Sequence, residues 1–179
     1  ARLLGLPVIP LDRTGEHLRC AICRTCYRVE LLAVPTIDQM QVALLSATTT
    51  ATLAMLSAGG SASQVARRRA IELIMSAGSP KYGEPELEVA LGLAVESPGA
   101  RVSCGPVPGL RAAVERLAIQ LETCAKEWFL AKVVQVGLAD GALTGAEREV
   151  VGTVARHLGL SQAQANDVIQ MAEEAAQAG

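Results

Sequence analysis

An all-α fold with a small β segment at its N-terminus is what this sequence predicts, and three observations carry the reading. Half of the residues are hydrophobic but only 2% are aromatic, an alanine-rich apolar content that favours packed helices over sheets. From Thr36 onward the apolar residues recur at spacings of three and four, the period of a helix with one buried face. Before Thr36 the chain is broken into short apolar runs separated by turn residues, around three cysteines crowded between Cys20 and Cys26. The domain organisation expected is therefore a small segment over residues 1–35 and a helical domain over residues 36–179.

Composition also limits the function classes. A length of 179 residues is enough for a substantial core with a small module beside it. A net charge of −2 leaves no electrostatic footprint for nucleic acid. So few aromatic side chains make base-stacking platforms and an aromatic ligand pocket poor expectations as well. No charged n-region, apolar h-region and cleavage site follow one another, and the expected location is cytoplasmic. The chain starts at Ala1 within what reads as a structured segment, which points to a piece of a longer protein.

In residues 1–35, Leu4 to Pro10, His17 to Ala21 and Tyr27 to Val34 read as two or three short strands around a knuckle. A segment this small needs a staple. Cys20 and Cys23 present two thiolates at the spacing used for one tetrahedral zinc, and a full ribbon needs a second such pair, here upstream of Ala1. A local zinc site could instead close with Cys26 and His17, which continue the spacing as HxxCxxCxxC. An iron–sulfur run would want a cysteine where Glu30 stands. A redox pair at Cys20 and Cys23 would prefer to open a helix in a βαβ unit, and none follows. Unligated cysteine is the remaining reading, and Cys104 and Cys124 are expected to be small core residues.

The helices follow in order. Thr36 caps the first, over Met40, Val42, Leu44, Leu45, Leu53 and Leu56, which ends at Gly59 and Gly60, although Thr48 to Thr50 lower its propensity. Ser63 opens the second, which runs to Gly78 and carries Arg67, Arg68 and Arg69 as a solvated charge run or a contact to a neighbouring helix. Pro85 starts a short helix to Val95, and residues 97–108 read as loop. Leu110, Ala113, Val114, Leu117, Ala118 and Leu121 form one stripe of a helix ending near Glu122. Thr123 is expected to cap the next, with Phe129, Val133 and Val136 facing the core beside Leu130, Val134 and Trp128. After Leu158, Gly159 stops a helix, and Ser161 with Gln164 makes a capping box for the last one, to about Ala176.

The organising stretch is Ala139 to Glu147, ADGALTGAE, lying between two apolar helical segments, Ala125 to Leu138 and Thr144 to Leu158. Gly141 can end one helix with a positive φ, and Thr144 with Glu147 forms a capping box that opens the next. The same residues match the second half of a calcium loop, with Gly at the sixth place and Glu at the twelfth. Val136 and Leu138 stand where that loop needs carboxylates, so the chemical alternative to pure capping is a composite acidic site at Asp140 and Glu147 that borrows ligands from elsewhere. Sliding the sequence so that Ala58 meets Ala139 brings Gly60 onto Gly141, Ser63 onto Thr144, Arg67 onto Arg148 and Gly78 onto Gly159. A duplicated helical hairpin is the natural reading. The copies differ where chemistry would sit, with Gly59 opposite Asp140 and Ala66 opposite Glu147.

The stretch ADGALTGAEREVVGTVARHLGLS, with AKEWFLAKVVQVGLADG before it, resembles the TerB-like domains of the tellurite-resistance system. The resemblance implies a bundle of helical hairpins from about Thr36 to the end, non-enzymatic and linked to metal and chemical stress in bacteria, whose acidic turns have been proposed to bind a divalent metal. Onto this chain only Asp140 and Glu147 carry over as possible ligands for such a metal, calcium or manganese. The stretch LPVIPLDRTGEHLRCAICRTCYRVELLAVPT looks like the second half of a zinc ribbon fused to such domains, which implies zinc at Cys20 and Cys23.

The function expected from these readings is a cytoplasmic binding or scaffold module that contacts a protein partner through its ribbon and helices. A thiol-based redox sensor or enzyme acting through Cys20 and Cys23 is an alternative. A second alternative is a membrane-associated component, because Gln39 to Ala66 holds no charged side chain. Homodimerisation through an exposed apolar face is its milder form.

Overall fold

The computed structural model describes residues 2–3, 6–7, 17–19, 22, 24–28, 35–59, 63–78, 83, 85–89, 91 and 109–178. The chain divides into two compact units, Ala1–Thr36 and Ile37–Gly179.

The first unit holds two short antiparallel strand pairs. Strand β1 (Arg2–Leu3) pairs with β2 (Leu6–Pro7), Arg2 opposite Pro7. Strand β3 (His17–Arg19) pairs with β4 (Cys26–Arg28), His17 opposite Arg28 and Arg19 opposite Cys26. Residues 20–25 connect β3 to β4, and Arg24 in that connection adopts a left-handed conformation with φ of 60°. A non-glycine residue takes such a conformation mainly in tight turns.

The second unit is all-α. Helix α1 (Ile37–Ala58) is followed by α2 (Gln64–Ser76), α3 (Leu110–Ala118), α4 (Thr123–Gly137), a 3-10 turn (Leu138–Asp140), α5 (Gly145–Leu158) and α6 (Gln162–Gln177). Residues 85–89 are helical too, and Leu87 and Leu91 are buried in the core. The rest of the expected Pro85 to Val95 helix lies largely outside the described residues.

Local chemistry explains the boundaries. Ser63 accepts from the Ala66 amide and caps α2, as expected. Thr144 and Ser161 each form a complete capping box, with Glu147 and Gln164. Gly159 is left-handed at φ 77°. The Gly159 amide donates to Arg156 O and the Leu160 amide to Ala155 O, the two bonds of a Schellman motif, and Leu160 is buried over the end of the helix. The threonine run of α1 stays helical because its hydroxyls turn back on their own helix. Thr50 Oγ1 donates to Ser46 O at 2.9 Å, and Thr52 Oγ1 to Thr48 O at 2.9 Å. Back-bonding of this kind satisfies the hydroxyl and allows Thr52 to sit in the core.

Four local expectations are corrected. Helix α3 stops at Ala118 rather than near Glu122, and Glu122 rather than Thr123 holds the N-cap position of α4, without a side-chain cap bond. Trp128 is 54% exposed while Phe129, Leu130, Val133, Val134 and Val136 are buried. A helix can turn only one arc inward, and the residue beside Phe129 falls outside it. Cys124 is exposed rather than in the core.

The core is built by two hairpins, α1 with α2 and α4 with α5, packed on each other. Helix α1 packs on α2, α3, α4 and α5, while α4 packs on α1, α2, α5 and α6. The pairing of α1 with α5 is matched by the pairing of α4 with α2, as the internal repeat would have it. Helix α1 is long and apolar enough to cross a membrane by length and composition, and it is also the helix on which four others pack. Its alanines at 43, 47, 51 and 54 are buried, and small side chains let helices approach closely.

Two glycines in the second half separate backbone need from accident. A Cβ at Gly152, inside α5, would meet nothing within 4 Å, so Gly152→Ala is expected to stabilise the chain by about 0.5–1 kcal/mol. Gly159→Ala has equal room but forces a Cβ into a left-handed conformation, with an expected loss of about 1–2 kcal/mol. Urea denaturation of both variants checks this, and a loss of stability in Gly152→Ala would contradict it.

Candidate functional site: the carboxylate cavity between the hairpins

The ends of the two hairpins meet at a small cavity. It is lined by Met55, Gly59 and Ala66 on one side and by Gly137, Asp140 and Glu147 on the other. Its volume is about 10 Å³, room for one water-sized group. In the repeat register Gly59 corresponds to Asp140 and Ala66 to Glu147. The cavity is thus walled by equivalent positions of the two copies, one acidic and the other not.

Glu147 is built into this place by its cap. Its Oε2 accepts from the Thr144 amide and the Thr144 hydroxyl, both at 2.8 Å. In return the Glu147 amide donates to Thr144 Oγ1 at 3.3 Å. The side chain is only 4% exposed, and among the described residues no other charged residue is buried. Its second oxygen points at the first hairpin. A Cβ added at Gly59 would stand 2.6 Å from Glu147 Oε1, and one at Gly137 would stand 3.4 Å from it. Gly137 is crowded further, because its Cβ would meet Leu143 Cδ2 and Met55 Cε, each at 2.5 Å.

Asp140 ends the 3-10 turn and is exposed at the mouth of the cavity. Gly141 follows with φ of 147° and ψ of −157°, a conformation open to glycine, so the chain reverses toward Thr144 without a left-handed helical cap. Two carboxylates line a space for one small group, and among the described residues no set of three His, Cys, Asp or Glu side chains is placed to hold a metal ion. The two carboxylates do not make a closed calcium cage, which takes six to eight oxygens. One oxygen of Glu147 is already engaged by Thr144, and Val136, at the first place of the would-be calcium loop, is buried in the core.

The other sequence-derived candidates are in the first unit. His17 lies on β3 and Cys26 on the paired strand β4, where Cys26 is exposed. Cys20 and Cys23 fall in the connection between these strands and lie outside the described residues. A residue that sequence reasoning passed over is Gly137, the last residue of α4. The signal for it was present in the repeat: Gly137 and Leu56 are equivalent, a small residue on one helix where the other carries a large one. A second missed contact joins α3 to α5, where His157 Nδ1 lies 3.2 Å from Glu115 Oε1.

No family model, curated protein or solved structure matches this chain.

The cavity geometry separates the cap role of Glu147 from its charge. Glu147→Gln keeps an oxygen for Thr144 and is expected to change stability by less than about 0.5 kcal/mol, whereas Glu147→Ala loses the box and costs about 1–2 kcal/mol. Thermal or chemical unfolding distinguishes them, and equal losses would mean that the negative charge itself holds the junction. Gly137→Ala overpacks the same point, with an expected cost of about 1–3 kcal/mol.

Proposed function

We propose that this chain is a non-catalytic binding or scaffold module of TerB-like type, with a divalent-cation-sensitive junction at Asp140 and Glu147 and a zinc-ribbon-like N-terminal segment. The observation that carries the reading is the buried carboxylate of Glu147, set with Asp140 around a cavity between two hairpins. A charge withdrawn from water is expensive unless it is bonded or coordinated. Here Oε2 is bonded, while Oε1 is aimed across the hairpin interface. A cation held by Asp140 and Glu147 would supply positive charge at that point and tie the turn before α5 to the first hairpin. With Gly59 and Ala66 opposite, water would have to complete its coordination, and the affinity expected is low.

For the N-terminal segment, the support is the β3–β4 pairing, since in the sequence Cys20 and Cys23 stand between the two paired strands, followed by the left-handed Arg24. Two thiolates in such a turn are the arrangement that half of a zinc ribbon needs. The same reading makes the module cytoplasmic, where thiols stay reduced, with a protein as its partner.

Two measurements test the proposal on the intact chain. Titration with manganese, followed by its electron paramagnetic resonance signal, is expected to show one weak site that calcium competes for and that Asp140→Asn removes while the helical circular dichroism is unchanged. Binding that survives both Asp140→Asn and Glu147→Gln would refute the site. Elemental analysis of the chain purified without added metal, compared with the Cys20→Ser variant, tests the knuckle. The expected zinc, below or near one per chain, is lost in the variant, and equal zinc in both would sink that half of the reading.

A further inference from the structure

The cavity between the hairpin ends holds an acceptor that no donor among the described residues reaches. Thr144 donates twice to Glu147 Oε2, from its amide and from its hydroxyl, while Oε1 receives no hydrogen bond from a described residue. The side chain is only 4% exposed, and it lines the cavity. A buried acceptor left open costs free energy, and a charged one costs more. Oε1 therefore favours any small donor that can enter.

The charge of the site points the same way. Asp140 stands exposed at the mouth of the cavity, and neither it nor Glu147 is in an ion pair with a described residue. Arg148, the neighbour of Glu147 in sequence, is engaged instead with Glu173 at 2.7 Å. Of the other walls, Met55, Leu56 and Val136 are apolar and buried. Ser63 brings one hydroxyl from the first hairpin. Its oxygen accepts from the Ala66 amide at 3.2 Å and has a second lone pair to offer.

Size and hydrogen-bond count select among cations. A space of about 10 Å³ takes one water-sized group. A primary ammonium has that size, and its three hydrogens match three acceptors: Glu147 Oε1, the Asp140 carboxylate and Ser63 Oγ. A guanidinium, planar with three nitrogens, is too large to enter. A divalent ion bound through protein alone would need more oxygens than two carboxylates provide. The ammonium asks for acceptors only, and the two carboxylates supply its counter-charge. Asp140 at the mouth leaves the aliphatic stem of a lysine a way in from the surface.

We infer that this cavity receives the ammonium group of a lysine presented by a protein partner, bonded to Glu147 Oε1 and Asp140. The inference rests on the reading of the junction as cation-sensitive and names its partner group and its regulation. A divalent ion and the ammonium compete for the same two carboxylates, so the ion releases the partner. Selectivity comes from the buried carboxylate, since a partner without a cation that fits leaves that charge unpaired. Gly59 keeps the space open, because a Cβ there would stand 2.6 Å from Oε1, where the ammonium has to sit.

The probe is the tripeptide Gly-Lys-Gly, acetylated and amidated so that its side chain is the sole cation, with Gly-Arg-Gly as its twin. Each is added to the isotope-labelled intact chain while the amide resonances of Gly59 and Gly137 are followed by nuclear magnetic resonance. The lysine peptide is expected to shift both saturably at millimolar concentration, and calcium to reverse the shifts. The arginine twin is expected to bind about tenfold more weakly. Asp140→Asn and Glu147→Gln are each expected to weaken the lysine peptide about tenfold with unchanged circular dichroism. Equal binding of the two peptides, no shifts at tens of millimolar, or indifference to both variants would overturn the inference. Manganese held at Asp140 that the lysine peptide does not displace would overturn it and leave the cation reading standing. Lysine shifts without any manganese binding would sink the divalent-ion reading and its competition alone, and keep the lysine site. Free spermidine binding about a hundredfold tighter than the peptide would make a small polyamine the occupant and overturn the protein partner.

Discussion

A single carboxylate, that of Glu147, joins the local structure of the second hairpin to the packing of both. Its reciprocal bonds with Thr144 start α5, and those bonds hold the side chain in the space between the two hairpin ends rather than in water. Gly59 and Gly137 make that possible, because a Cβ at either position would press on Glu147 or on the side chains beside it. The cap, the packing of the hairpins and the absence of side chains at two glycines are consequently one constraint. Changing any of the three disturbs the other two.

That constraint also gives a physical account of the asymmetry between the repeats. The first copy lacks the acidic residues of the second, and the space such a residue at Gly59 would need is occupied by Glu147 Oε1. One buried carboxylate at a near-symmetric point is tolerable when its cap satisfies part of it, whereas two facing each other would repel unless a cation lay between them. The repeats are alike where backbone geometry is decided, at Ser63 and Thr144 and at Gly78 and Gly159. They diverge where charge would be duplicated.

The outer surfaces diverge in a different way. With few aromatic residues to fill space, the core relies on alanine and valine stripes that bring helix backbones close, as on α1 beneath its neighbours. Closing one hairpin this way uses α3, whereas the other keeps a tryptophan, a lysine and a glutamine on the equivalent stripe of α4. These are side chains with an apolar body and a polar end, suited to a partly wet face. The polar cavity and the half-covered α4 face thus belong to different aspects of the same duplicated unit, one between the hairpins and one on the surface.

How much of this was legible in the sequence follows from the range of the interactions involved. The all-α character, the caps at Ser63, Thr144 and Ser161 and the stop at Gly159 were readable because each depends on residues within one helical turn. The buried stripe of α3 was readable for the same reason, since its period is local. Trp128 and Cys124 were misplaced because periodicity defines an apolar face but not how wide an arc the neighbouring helices cover. That Asp140 and Glu147 share a cavity with Gly59 and Ala66, rather than with further carboxylates, was hinted at by the repeat register and decided only by the packing of the hairpins. The exposure of the α4 stripe at Cys124 and Trp128 had no local signature at all. It depends on where the other helices lie, and only the tertiary arrangement, in which long-range packing outweighs local preference, could determine that.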